Sequence, residues 1–231
     1  QMRIDLLDCT RRAEEDDGVH AIVFTGHGNQ SFCAGANIAE LNDRTLNSEL
    51  SAEATLRKEL PTTIERLAIP SVAAINGYCF GAGLELALGC SVRIASENST
   101  LGQPEITLRL IPGSGGTLRL YRFVGLGWAM QLVLTGEPVD AAMANSIGLV
   151  TEVTSQEDLL PRAKKLARML GSQAPLAFIA GRDAVLRSTE SDLLSGIDYE
   201  RKLYAILMAT EDKKEGLDAY REKRSPNYKG R

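Results

Sequence analysis

Nowhere in this 231-residue chain do apolar residues run on for the roughly 20 positions that a membrane-spanning helix needs. The opening Gln1-Met2-Arg3 has neither the apolar stretch nor the charge order of a signal peptide. Long Lys/Arg runs are missing too, and the formal charge of −4 argues against a surface dominated by nucleic acid or anionic membrane, leaving room for a local basic patch. Cys9, Cys33, Cys79 and Cys90 show no CxxC spacing and no accompanying His pattern, so neither a zinc site nor a disulfide framework is implied. His20 and His27 stand in no nucleophile–base or metal motif and read as residues flanking a strand. Gly26-His27-Gly28 and Gly113-Ser114-Gly115-Gly116 lack the lysine of a P-loop and the GxGxxG spacing of a dinucleotide site, which removes nucleotide cofactors of those kinds. Low-complexity segments and internal repeats are absent as well. The expectation is a soluble intracellular protein with reduced thiols and with no metal, membrane or nucleic-acid partner.

What is present is enough apolar material for a substantial core: 44% of residues are hydrophobic, and the length fits one large domain or one domain with a small appendage. Residues 2–15 carry apolar positions at near-helical spacing, so the chain begins inside a helix. The run 21–26 ends in glycine and suits a buried strand before a Gly/Asn turn, with a loop from Ser31 to Asn37. Residues 48–68 predict a polar amphipathic helix interrupted at Pro61 and ended by Pro70. Strands are expected over 71–77 and 92–95, with Gly81-Ala82-Gly83 opening a helix between them. A loop with Pro104, a turn over 112–116 and helical stretches around 117–134 and 140–147 follow. Short strands alternating with helices mean α/β. From about residue 157 only helical patterns occur, with Pro161 suited to a first helical turn and Pro175 marking a break. The predicted organisation is an α/β core over 1–156 and a helical subdomain over 157–231. The stretch 203–209 is apolar around its whole circumference, so a helix there needs cover on several sides, most simply from another subunit.

Two loops of small residues stand where backbone could approach a ligand: Ala34-Gly35-Ala36 after the first strand, and Gly81-Ala82-Gly83 before a helix. At a helix start, unpaired N–H groups favour negative charge. Two such loops aimed at one oxygen would make an oxyanion hole for an enolate, where each donor contributes about 3–4 kcal/mol. Each loop taken alone reads first as an ordinary strand-to-helix turn. Glu85 lies in the first turn of an otherwise apolar helix, a place that suits an acidic residue for structural reasons but also one where an unpaired buried carboxylate is costly. Glu105 follows Pro104 in a loop, and taken singly each glutamate reads first as structural, Glu105 as a surface turn residue. If the two converged, they would form an acid and base with separable roles, as adding water across an activated double bond requires. Spacing does not establish that convergence.

Read in order, FCAGANI (32–38), AINGYCFGAGLELALGC (74–90), LGQPEITLRLIPGSGGTLRL (101–120), LTGEPVDAAMANSIGLV (134–150) and ATEDKKEGLDAYREKR (209–224) closely resemble the enoyl-CoA hydratase/isomerase, or crotonase, family. The resemblance implies a spiral of ββα turns followed by helices used in trimerisation, with hexamers built as dimers of trimers. It also implies that the family's early strands and a basic CoA-contacting loop precede residue 1. By motif position, the N–H groups of Ala36 and Ala82 would hold the acyl thioester oxygen. Glu85 and Glu105 would match the catalytic pair, with Glu85 helping to deprotonate water and Glu105 supplying a proton to Cα to give a 3-hydroxyacyl-CoA. Ala34 and Ile38 would contact CoA, Gly113 would lie beside the acyl end, and Tyr204 and Lys223 would reach a neighbour's CoA. Coenzyme A thus enters as part of the substrate and no separate cofactor is expected. The implied compartment is the cytoplasm, or the mitochondrial matrix in a eukaryote.

This sequence departs from the family pattern in three places. Asn37 stands where many relatives have Asp, with a side chain suited to bracing the loop. Ala82 replaces a common glycine, which a backbone donor tolerates. Arg109 takes a place often held by glycine near the acyl pocket, leaving chain-length specificity open. An isomerase, dehalogenase or thioester hydrolase would use the same oxyanion hole, but the presence of both glutamates favours hydration. One branch of the family is reported to bind AU-rich RNA, and the acidic balance without a Lys-rich helix weighs against that here.

Overall fold

The structure, a computed structural model, describes residues 1–231 apart from the side chains of Leu56 and Arg57. The chain opens with α1 (Met2–Glu15), β1 (Ile22–Thr25), β2 (Ser31–Cys33), two short helices α2 (Ile38–Asn42) and α3 (Leu46–Glu49), and α4 (Ala52–Arg66). A second strand–strand–helix unit follows as β3 (Ser71–Ile75), β4 (Tyr78–Phe80) and α5 (Ala82–Gly89). The third is β5 (Val92–Ser96), β6 (Thr100–Gly102), a 3-10 turn at Pro104–Leu108 and α6 (Gly116–Thr135). Then come β7 (Val139–Asp140), α7 (Ala141–Ser146), β8 (Glu152–Thr154), α8 (Gln156–Gly171), α9 (Pro175–Arg187), α10 (Leu193–Leu207) and α11 (Glu211–Glu222). The first strand of each unit joins one sheet, in the order β1-β3-β5-β8, and the second joins another, β2-β4-β6-β7, which produces the ββα spiral. All pairings are parallel except β6 with β7.

Strand β3 is buried at every position, as a central strand covered on both faces must be. Its residues alternate between two cores: Ala73 and Ile75 face one that includes Ile64, Leu84 and Leu88, while Val72 and Ala74 face α8 through Leu159, Ala163, Leu166 and Ala167. Each fully buried leucine in these layers contributes about 1.5–3 kcal/mol relative to an exposed one. Asn76, buried at the end of β3, accepts from the Gly26 N–H at 3.0 Å and donates to the Gly26 and Gly28 carbonyls, so one side chain holds the turn that follows β1. Ser155, Asp192 and Thr210 cap α8, α10 and α11 by accepting from an amide in the first turn, each cap contributing about 1 kcal/mol.

The structure corrects the sequence reading in several places. Pro61 does not interrupt α4; the helix runs through it, and α5 packs close enough that Gly89 lies against the Pro61 carbonyl. Pro161 falls inside α8, beyond the first turn, because Ser155 starts the helix earlier. Helix α6 is broken at Gly125, where φ is 74° and ψ 172°. The loops expected at 31–37 and after residue 96 contain β2 and β6, three-residue strands too short to show alternation. They exist because β4 pairs with both. Among the described residues, no helix is long and apolar enough to cross a membrane.

Candidate active site

Strands β2, β4 and β6 are parallel neighbours, so the segments leaving their C-terminal ends emerge side by side. That edge of a parallel sheet is where ligands commonly bind. From these segments Ala34–Ala36, Gly81–Ala82 and Pro104–Glu105 wall a cavity of about 540 Å³ together with Gly113 and Ser114. Ala34, Ala36, Ile38, Ala82, Glu85, Glu105 and Gly113 all line it, which unites seven of the nine residues singled out from sequence. The other two lie elsewhere in the chain. Tyr204 is on the exposed side of α10, and Lys223 is an exposed residue at the end of α11 with a left-handed φ of 55°.

The first two loops are pressed together: a Cβ on Gly83 would sit 2.1 Å from the Cys33 carbonyl oxygen, so only glycine permits the approach. Ala82 is the first residue of α5, where an N–H has no intrahelical acceptor. Among the described residues, neither the Ala36 nor the Ala82 N–H is paired within the chain. Asn37 caps α2 by accepting from the Ala39 N–H at 3.1 Å, the bracing role expected of it.

Glu85 is 2% exposed, and its Oε1 accepts the Ser114 N–H at 2.6 Å and the Gly116 N–H at 2.9 Å. One oxygen is thereby held by two amides while the other remains for a ligand. Glu105 is partly buried and lies against Gly81, where an added Cβ would sit 2.9 Å from Glu105 Oε1; Gly81 also starts the helix that carries Glu85, its carbonyl accepting the Glu85 N–H at 2.9 Å. Burial pushes the Glu105 carboxyl above its ordinary value, a local backbone hydrogen bond pulls the other way, and the charge of Glu85 adds to the rise. Gln103, wholly buried, has its amide nitrogen 3.1 Å from both Glu105 oxygens once the amide is turned to donate.

Sequence reasoning missed Gln103, although its place two residues before Glu105 was a usable signal. It also missed Arg3, Arg44 and Lys58, which bring positive charge to the cavity from three separate helical and loop segments and share no motif. Arg44 and Lys58 both pair with Glu49. Arg109 stands near the cavity, as expected, but does not line it: it is exposed, with φ 58° at the end of the 3-10 turn, and the lining beside it comes from Leu108, Leu110 and Ile111. The left-handed backbone explains why glycine suits this position.

The sequence profile of the enoyl-CoA hydratase/isomerase family matches residues 1–231. The chain is 40% identical over 228 residues to 2,3-dehydroadipyl-CoA hydratase from Escherichia coli K12, an alignment covering 99% of this chain and 88% of that protein. It is 37% identical to crotonyl-CoA hydratase from Syntrophomonas wolfei, over 97% of this chain and 86% of the relative. The crystal structure of enoyl-CoA hydratase from Bacillus anthracis superposes with a TM-score of 0.89 at 35% identity, over 99% of this chain and 88% of that one. Spiral fold, ordered motifs and whole-chain similarity agree, and the protein belongs to the enoyl-CoA hydratase/isomerase family.

Proposed function

We propose that the protein is an enoyl-CoA hydratase that adds water to a short- or medium-chain trans-2-enoyl-CoA to give a 3-hydroxyacyl-CoA. The reading is carried by Glu85 and Glu105 lining one cavity, close enough that the charge of one acts on the other. The Ala36 and Ala82 amides receive the thioester oxygen. A water held between the carboxylates loses a proton to Glu85 as its oxygen bonds to Cβ, and the double-bond electrons move toward the carbonyl to make an enolate. The two amides stabilise the negative oxygen by about 3–4 kcal/mol per donor. Glu105, held toward its protonated form by burial, delivers a proton to Cα. Both new bonds form on the face that the carboxylates share, so addition is syn. Proton exchange with solvent after product release resets the pair.

Leu108, Leu110 and Ile111 supply an apolar wall for the acyl chain, and Arg3, Arg44 and Lys58 supply charge for the phosphates of CoA. Exposed apolar residues on α10, including Leu194 at 78% and Ile206 at 64%, favour a homo-oligomer, a trimer or a dimer of trimers, in which Tyr204 and Lys223 approach a neighbour's CoA. The chain then divides functionally into the spiral core over 1–156 and an oligomerisation region over 157–231. Four unpaired cysteines suit a reducing compartment, the cytoplasm or the mitochondrial matrix.

The test is a panel of trans-2-enoyl-CoA thioesters followed by loss of the conjugated-thioester absorbance. Wild type consumes at least one short member, and Glu85→Gln and Glu105→Gln each lower kcat by about 10²–10⁴-fold. Wild-type rates in both variants would refute the assigned roles. Salt-dependent RNA binding with no turnover of any thioester would replace the hydratase reading altogether.

A further inference from the structure

The two amides that hold Glu85 belong to a turn that has little to brace it from within. Gly115, between them, has φ 93° and ψ 11°, and Gly113, Gly115 and Gly116 bring no side chains to the turn. Glycine backbone of this kind is loose unless something outside fixes it. Here the fixing group is Arg119, which is 8% exposed and lies one helical turn farther along α6.

Arg119 grips both peptides that flank Gly115. Its Nη1 donates to the Ser114 carbonyl at 3.0 Å, holding the Ser114–Gly115 peptide, and its own backbone N–H donates to the Gly115 carbonyl at 2.9 Å, holding the Gly115–Gly116 peptide. The second of these is the peptide that presents the Gly116 N–H to Glu85 Oε1. The first lies between the two donating peptides and sets their relative tilt. The guanidinium occupies the space a side chain on Gly115 would need, since a Cβ there would fall 2.3 Å from Nη1.

The guanidinium is itself held from α4. Nε and Nη2 donate to the two oxygens of Glu65 at 2.9 and 2.8 Å, and Nη2 also donates to Thr62 Oγ1 at 3.0 Å. Such a two-pronged, charge-assisted pair is geometrically specific as well as strong. A continuous path therefore runs from Glu65 through Arg119 and the Ser114–Gly116 turn to the Glu85 carboxylate, and Arg119 reaches the cavity only through that turn, without lining it.

We infer that Arg119, clamped by Glu65, is a positioning residue that aims the Glu85 carboxylate by fixing the backbone turn whose amides hold it. This rests on Glu85 acting as the base in hydration. The role needs the fork of arginine, because a lysine ammonium meets Glu65 as a point charge and leaves the Ser114 carbonyl without its donor. Its cost appears in turnover: a displaced base slows the attack of water but leaves the CoA contacts in place.

The experiment is a double-mutant cycle on the full chain, with crotonyl-CoA as the probe. Arg119→Met is expected to lower kcat by about tenfold to a hundredfold, the loss expected when a charge-assisted contact is removed, with KM changed by less than about threefold. Arg119→Lys stays impaired. In the Glu85→Gln background, Arg119→Met adds less than about a twofold further loss, because its effect passes through the carboxylate. If Arg119→Met does not fold by circular dichroism, Glu65→Gln takes its place in the same cycle, with a smaller kcat loss and the same non-additivity. Equal fold-losses in the wild-type and Glu85→Gln backgrounds overturn the inference, as does full rescue by lysine or an unchanged kcat. A wild-type protein inert toward every enoyl-CoA sinks the hydratase reading itself, and the inference with it.

Discussion

Replacing Gly81 by alanine perturbs stability and chemistry through two separate features of one residue. Gly81 has φ 53° and ψ −121°, a conformation matching the first central position of a type II′ turn and open to glycine. Holding an alanine there stores about 1–3 kcal/mol of strain. At about 2–4 °C per kcal/mol for a domain of this size, the melting temperature falls by about 2–12 °C. The new methyl carbon would also lie 2.9 Å from Glu105 Oε1, well inside contact distance, so the carboxylate must retreat from its place against Gly81. A shift of about 1 Å in a reacting group costs up to about a hundredfold in rate. The expected outcome for Gly81→Ala is a kcat lowered about tenfold to a hundredfold with KM little changed. Circular dichroism gives the melting temperature, and initial rates of crotonyl-CoA hydration are read well below it. In a Glu105→Gln background the methyl group has no carboxylate left to displace and lowers kcat no further. A Gly81→Ala protein that keeps wild-type kcat would refute the placement of Glu105 as proton donor across this loop.

Four further outcomes follow from the geometry. Because burial raises the folded-state pKa of Glu105, the folded protein holds that proton to higher pH than the unfolded chain does. The stability it contributes is full below the unfolded value and is lost as pH rises through the folded one, so Glu105→Gln raises Tm above wild type at pH 8 but not at pH 4, read by thermal unfolding at both. The same proton makes hydration slow with rising pH through the raised pKa, and a flat kcat profile there would contradict the donor role. Arg109→Gly relieves a left-handed backbone at an exposed side chain, which stabilises the fold by about 1 kcal/mol without changing the order of preference across acyl-chain lengths. A changed preference would return Arg109 to the acyl pocket. Ile206→Glu places charge on the exposed apolar side of α10 and shifts sedimentation toward monomer, whereas a monomeric wild type would rule out the oligomer.

Sequence alone determined the elements whose cause is local. Strand β3 was legible because Val72-Ala73-Ala74-Ile75 read as one apolar run, and α5 because glycines precede an unbroken helical pattern. Glu85 could be singled out because a carboxylate among leucines is costly to bury, and the ordered motifs carried the family. What sequence could not reveal depends on which segments become neighbours. Three-residue strands such as β2 and β6 have no pattern of their own and exist through pairing with β4. The continuation of α4 through Pro61 was equally invisible, since a proline in a helical pattern reads as a break.

The site divides along the same line. Bottom-up reading left Glu85 and Glu105 as two residues with structural explanations, and the family pattern paired them. Only the parallel order β2-β4-β6 brings the loops after three distant strands to one edge, because parallel neighbours end on the same side. Tertiary packing alone also decided that Gln103 attends Glu105, that Arg119 reaches the turn behind Glu85, and that Arg109 stays outside the cavity. Side-chain chemistry is written residue by residue, but the meeting of two carboxylates is a property of strand order, which no local interaction encodes.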